Sequence, residues 1–406
     1  MMEVYLDNND STKMLPEVLE AMMPYFTESY GNPASLHKLG LDAETALDEA
    51  RATIAECIGA MPQEIYFTSG ATESNNLALN GLRLQHPGKK HVIVSPIEHA
   101  SIRNIVKRWE KEGLVEVSYL KVDEDGIVDP ESLRELIRDD TLVVSVIHAS
   151  NEIGSIQDLR ALSEICNEHK TFLHTDAAQT LGKIPMNMKE LGVHAASFNA
   201  HKMHGPKGIG VLYLKKRTKL RRFFEGSPQE EGVRPGTQNV PGAVGFAKAL
   251  EIALRDMDEY RPRIDELTKK LADQLLGIEY TRLNGPEVGE KRLPGNINIT
   301  YRYIEGEAIL MMLNMKGVYV SSGSACSSRS LVPSHVLTSI GLLHEEAHGS
   351  IRYSLSRLTT DEEIEYTVAQ TKEVVQKLRA MTAFVPEKHS ERESEKAQTF
   401  YRKKAD

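Results

Sequence analysis

The sequence predicts an α/β protein: a large unit built on a mainly parallel sheet, then a smaller α+β unit. Three observations carry this. Short β-branched or aromatic runs recur through the first half of the chain, with helix-like segments between them. The runs are apolar without alternation, as strands covered on both faces are. Beyond residue 258 the rhythm changes, and strand-like and helix-like runs no longer alternate regularly.

In chain order, residues 1–14 read as short and extended, with turn formers at Asp7, Asn8, Asn9 and Asp10. LPEVLEAMMPYF, from Pro16, reads as one amphipathic helix opened by a proline. Gly31-Asn32-Pro33 is a loop. A long helix is predicted over 41–58, ended by Gly59. Strand signals follow: EIYF near 65, HVIV near 92, VEVSYL near 117, LVVSVI near 144 and TFLH near 172; Val211 to Leu214 is a further apolar run. NNLALNGLRL, ASIRNIVKRWEKE and LRALSEICNEH supply helices between them. A long helix is expected over 240–276, kinked or broken near Pro262. NINIT, GVYV and SIRYSLS then read as strands, with GEAILMML and EEIEYTVAQTKEVVQKLR as helices. The division expected is 15–258 for the large domain, and 1–14 with 259–385 for the small one. Residues 386–406 are dense in charge and poor in aliphatics, a solvated tail.

Of the 406 residues, 40% are hydrophobic and 26% charged, an ordinary soluble balance. A net charge of −9 gives no electrostatic footprint for nucleic acid. No leader-like start and no membrane-length apolar run are present. Three cysteines, Cys57, Cys166 and Cys326, are odd in number and far apart, which excludes a disulfide framework and fits a reducing cytoplasm. Cys57 and Cys166 lie in helical apolar patterns and read as packing.

The chemistry centres on FNAHKMHGPKGIG, residues 198–210. Its Lys202 follows His201 and precedes a loop of small residues, so burial would lower the amine's pKa and let it attack a carbonyl. A solvated surface lysine is the alternative. Thr68-Ser69-Gly70-Ala71-Thr72-Glu73-Ser74 lies between a strand and a helix, where free N–H groups and the helix dipole favour a phosphate. Any capped helix start looks similar. It is not a Walker loop, and no GxGxxG fingerprint occurs.

His99, Asn151, Asp176 and Gln179 each follow a strand signal, at the carboxyl edge where such sheets bind ligands. His99 can stack on a ring or move a proton, or it simply opens a helix. Asn151 can donate to a carboxylate or ring oxygen, or it makes an Asx-turn. A buried Asp176 needs a cationic or hydrogen-bonding partner, and a protonated pyridine nitrogen is one. Gln179 can reach the ring's phenolic oxygen. Cys326 sits in Ser321-Ser322-Gly323-Ser324-Ala325-Cys326-Ser327-Ser328, where every other residue is Ser, Gly or Ala. That places an accessible thiol on a mobile loop, unless the stretch is a plain linker. Arg352, in a strand, suits a substrate carboxylate, or it faces water on a sheet edge. His201, His204, His174 and Cys166 match no zinc spacing, so no metal is expected.

SGATES, EHA, NEIG, TDAAQ, HKMHGPKGIG, RPGTQNV, SSGSACSS and SIRYSLSR together make the chain resemble the pyridoxal-phosphate cysteine desulfurases, in the group whose catalytic cysteine lies in a long SSGSACSS-type loop. The likeness runs from LDNN at residue 6 to the helix near 380. It implies a fold-type I homodimer with a mainly parallel seven-stranded sheet and active sites at the subunit interface. It implies that Lys202 holds the cofactor as a Schiff base, Asp176 pairs with the pyridine nitrogen, Gln179 contacts the ring hydroxyl and His99 stacks over the ring. Ala71, Thr72, His201 and Asn199 would hold the phosphate, with Thr237 reaching in from the partner subunit. Asn151 and Arg352 would take the carboxylate of L-cysteine. Cys326 would attack the sulfur and pass it to an acceptor, such as an iron–sulfur scaffold protein or a tRNA-thiolating enzyme.

The chain departs from the family pattern in three places. Asp10-Ser11-Thr12 stands where Ala-Thr-Thr is usual, Asn199 replaces a serine of the phosphate cup, and Gly226-Ser227-Pro228-Gln229 replaces His-Gly-Gly-Gly-Gln. An acid at position 10 would repel a substrate carboxylate or pair with its amine. A selenocysteine lyase, a cysteine sulfinate desulfinase and a catalytically weak homologue serving as a binding partner are the alternatives at this level.

Overall fold

The structure, a computed structural model, describes residues 2–322 and 333–382; Cys326 and the charged tail lie outside the described residues. Seven strands form the main sheet, in the order Ile65–Thr68, Gly210–Leu214, Ala195–Asn199, Phe172–Asp176, Thr141–Ser145, His91–Val94, Glu116–Tyr119. Gly210–Leu214 runs antiparallel to both neighbours, and every other pairing is parallel. All six remaining strands therefore point the same way, and their ends share one edge. Five strands match the expected runs. Ala195–Asn199 was not among them: AASFN lacks a β-branched residue, yet all five residues are buried at the sheet centre.

Helices Ala71–Gln85, Ala100–Lys111 and Leu159–Glu168 cover the sheet. The predicted long helix is Lys38–Cys57; it starts a turn early because the His37 side chain accepts from Gly40 N. Gly59, at φ +66, closes it in the left-handed region. LPEVLEAMMPYF is two helices, Pro16–Met22 and Pro24–Thr27, because Pro24 cannot continue the ladder and opens a new turn. The helix expected over 240–276 breaks at Asp256, not at Pro262. It forms Val240–Arg255 and Met257–Leu276. Asp256 leaves helical geometry at φ −98, ψ 1, and its carboxylate is drawn to Arg255 and Arg357. Pro262 lies within the second helix, where it forfeits one backbone bond.

A second sheet is antiparallel, in the order Ser321–Ser322, Ser350–Ser354, Asn296–Tyr301, Thr281–Leu283. Helices Met257–Leu276, Gly306–Met315 and Asp361–Met381 bury a separate core against it, including Leu271, Ile299, Ile309, Ile351 and Val374. Thr360 and Glu363 form a reciprocal cap at the start of the last helix.

The N-terminal segment ties the two sheets together. Val4–Tyr5 pairs in parallel with Val318–Tyr319, and Asp7 bridges to Ser354. A few residues later, Thr12 N donates to His201 O and Leu15 N to His204 O. One short strap thus carries Asp7, Asn9 and Asp10 from the second sheet to the Lys202 turn.

Candidate active site

The register of three strands builds the floor. Thr68, Gly210 and Asn199 are aligned neighbours at one sheet edge. A Cβ on Gly210 would lie 2.5 Å from Gly70 Cα, so only glycine permits this approach. Gly70 precedes helix Ala71–Gln85 and offers no side chain to cap it, which leaves the first N–H groups for an outside acceptor. Ala71 is buried and Thr72 exposed. Asn199 is buried, and its Oδ1 has no partner.

Beyond Asn199 the chain makes a tight turn, with Met203 N and Gly205 N both donating to Ala200 O. His204 takes φ +65, a left-handed conformation unusual outside glycine, and Thr12 Oγ1 fixes its N–H at 2.7 Å. Lys202 lies on this turn. Its amine donates to Asn9 O and, at 3.0 Å, to Asp10 O. Burial lowers the pKa of Lys202, with the Asp10 carboxylate opposing that shift. Burial and the nearby Lys202 charge push His201 down to about 4, so its imidazole is neutral at pH 7.

Asp176 ends its strand buried, and its oxygens accept from Asn75 Nδ2 at 2.7 Å and Ala178 N at 3.1 Å. Among the described residues no cation pairs with it. The same Asn75 amide donates to Ser101 Oγ at 2.8 Å, and Ser101 in turn holds His99 Nδ1, its N–H donating at 3.1 Å. His99 is therefore fixed from behind by the network that fixes Asp176. Gln179 Nε2 donates to Asn9 O at 2.8 Å, and its Oε1 accepts from Lys183 Nζ at 3.1 Å. Lys183 also reaches Asn9 Oδ1 at 3.0 Å. Burial, with Lys202 and Arg352 nearby, brings Lys183 down to about 7.

Arg352 arrives from the second sheet, 1% exposed. Its Nη2 lies 2.6 Å from Asp7 Oδ1 and 2.9 Å from Asp10 Oδ1, and Nη1 donates to Asn151 O at 3.3 Å. Nε has no partner. Asn151 thus enters the site through its backbone carbonyl.

The structure brings Ala71, Thr72, His99, Asn151, Asp176, Gln179, Asn199, His201, Lys202 and Arg352 to one edge. Thr237 is exposed on the loop before helix Val240–Arg255. Asn9, Asn75, Ser101 and Lys183 escaped the sequence reading. Only Lys183 carried a usable signal, a lone lysine in the apolar-flanked TLGKIP. Among the described residues no group of three His, Cys, Asp or Glu is arranged for a metal.

The donor set fits pyridoxal phosphate: an uncapped helix start for phosphate, a buried carboxylate without a cation for the ring nitrogen, and a buried amine for the aldehyde. Comparison with known proteins agrees. The family model for class-V aminotransferases matches residues 4–367. The cysteine desulfurase IscS of Dictyoglomus turgidum is 46% identical over 387 residues, covering 95% of this chain and 98% of the relative. That of Methanosarcina thermophila is 44% identical, covering 95% of each. A solved NifS-like protein aligns with a TM-score of 0.87 at 37% identity, over 93% of this chain and all of its own.

Proposed function

We propose how this chain, which belongs to the class-V aminotransferase family and is a pyridoxal-phosphate cysteine desulfurase, divides its reaction among its residues. Lys202 would hold the cofactor covalently, Asp176 its ring nitrogen, Gln179 its ring oxygen, and Ala71, Thr72, Asn199 and His201 its phosphate. Bound there, pyridoxal phosphate supplies an electron sink that weakens the bond between the substrate β-carbon and sulfur.

The chain's own residues do the rest. Arg352 and Asn151 orient the carboxylate of L-cysteine. Lys202 Nζ, its basicity tempered by burial, moves the proton at the α-carbon, and His99 is placed to move another. Cys326 thiolate takes the sulfur: L-cysteine and a thiol become L-alanine and a persulfide, with atoms balanced. The persulfide passes to an acceptor protein, such as an iron–sulfur scaffold. The observation that carries this reading is the convergence of Asp176, Gln179, His99 and Lys202 on one sheet edge.

Leu19, Met23, Phe26, Tyr30, Leu36 and Leu41 put six exposed apolar side chains on the segment 19–41, with Leu36 93% exposed. A second copy of the chain is its natural cover, and Thr237 would then serve the partner's phosphate. The change of core at Asp256 supports a division near residue 258, and cysteine usage supports a cytoplasmic location. The test is release of sulfide from L-cysteine, selenide from selenocysteine and sulfite from cysteine sulfinate, by wild type and Cys326→Ala. Loss with cysteine alone supports the assignment. Undiminished sulfide release from Cys326→Ala would remove the thiol from the mechanism.

A further inference from the structure

Arg352 already holds two carboxylates. Asp7 and Asp10 flank its Nη2 at 2.6 and 2.9 Å, and Asp10 is the residue that departs from the family pattern. Asp10 belongs to the strap, half-exposed, while Arg352 is buried in its strand. Its backbone carbonyl accepts from Lys202 Nζ at 3.0 Å, so the same residue touches both the amine and Arg352. A ligand carboxylate that approaches Arg352 meets an internal one of the same chemistry.

We propose that Asp10 is a built-in competitor for the substrate carboxylate at Arg352, so that carboxylate binding requires Asp10 to give way and draws a proton into the site. This rests on the reading of Arg352 as the carboxylate receptor. The groups that face Asp10 are Arg352, Lys202, Asp7, Tyr5, His201 and Glu152. Burial raises Asp7 to about 6, with Arg352 opposing that rise and Asp10 adding to it. Below that pH the two acids share a proton and balance one guanidinium. Above it they carry two negative charges against one positive, and a third carboxylate is admitted only if one acid is protonated or leaves. Carboxylate affinity therefore falls as pH rises through this range. Displaced from Arg352, Asp10 stays beside Lys202, near where the substrate's ammonium group arrives. The site thus favours a ligand that brings both an amine and a carboxylate over one with a carboxylate alone.

The test uses the holoenzyme and 3-mercaptopropionate, which has the carboxylate and thiol of cysteine but no amine. Calorimetry at pH 8 in two buffers of different ionisation enthalpy gives affinity and proton uptake. Asp10→Asn and Asp10→Ala are expected to bind it about tenfold tighter or better than wild type, and to lose the proton uptake. For cysteine, whose ammonium group loses its Asp10 partner, the gain in affinity is smaller than for the probe. Equal or weaker binding by Asp10→Asn, in protein that melts like wild type, overturns the proposal. So does wild-type binding that survives Arg352→Gln. The reading of the enzyme fails separately: wild type that binds the probe but releases no sulfide from cysteine sinks the desulfurase assignment and leaves the competition at Arg352 intact.

Discussion

Lys183 Nζ donates to Gln179 Oε1 at 3.1 Å, which fixes the amide so that Nε2 donates to Asn9 O, the carbonyl that the Lys202 amine also reaches. Without that contact the amide is free to flip. Lys183→Met should weaken pyridoxal-phosphate binding about tenfold, the loss of one oriented hydrogen bond, and shift the visible absorption of the bound cofactor. The substitution also changes pH dependence in the apoprotein. Lys183 is lowered to about 7 when folded, against 10.5 when unfolded, so between those values the unfolded chain binds more protons. Wild-type stability gains from this group as pH rises from 7 to 9.5. The variant should lack that increment, as urea unfolding at the two pH values will read.

Asn75 serves two catalytic positions with one amide, donating to Asp176 and to the serine that holds His99. Asn75→Ala removes both bonds in a buried setting, each contributing about 1 kcal/mol. We expect cofactor affinity to drop about tenfold, and kcat to fall further than KM changes, because the His99 ring loses its support. Ser101→Ala should reproduce the kcat effect while leaving cofactor affinity near wild type. Equilibrium dialysis of pyridoxal phosphate and steady-state kinetics distinguish the two.

Those supporting residues mark where the sequence stopped being readable. Asp176, Gln179 and His99 were legible because each follows a strand signal, and strand ends in such a sheet share an edge; Lys202 was legible as a lone lysine before a loop of small residues. Asn75 and Ser101 lie inside helices, where nothing in the pattern says which polar side chain turns inward. Asn9 works partly through its backbone carbonyl, which no side-chain motif encodes. Asp10 was visible as an acid near the pocket, but its partner comes from a strand some 340 residues away in sequence, so Arg352 read as free for substrate. Strand Ala195–Asn199 was missed for a related reason: its place is decided by burial between two neighbours rather than by its own propensity. The break at Asp256 depends on arginines that the local sequence only half supplies, since Arg255 is adjacent and Arg357 is not.

Glu98 is buried beside His99 and has one oxygen on Ile147 N and the other without a partner. Burial pushes its pKa well up, which favours the neutral acid. Glu98→Gln should cost less than about 1 kcal/mol in stability and keep activity. Glu98→Ala leaves Ile147 N–H unpaired beside a cavity and should cost about 2–4 kcal/mol. Its backbone carbonyl also accepts from His335, at 2.9 Å, a bond that both variants keep. Thermal melts of the three proteins give the ranking, and a Gln variant as unstable as the Ala variant would mean that the carboxyl is ionised.

Two of the three thiols are held inert by their surroundings. Burial raises Cys57 to about 11 and Cys166 to about 12, so at pH 7.5 almost none of either is thiolate, the form that alkylates. Neither has a cation near enough to offset the shift, since burial leads both and the only charges near Cys57 are acidic. Brief treatment of the native enzyme with iodoacetamide at pH 7.5 should therefore modify one site, Cys326, and abolish sulfide release in step with labelling. Raising the pH towards 10 should add Cys57 before Cys166, because Cys57 is half-buried and Cys166 is closed off. Peptide mapping after each treatment reads the order. Rapid labelling of Cys166 at pH 7.5 would show that helix Leu159–Glu168 opens in the native protein, and the assignment of a single reactive thiol would fail with it.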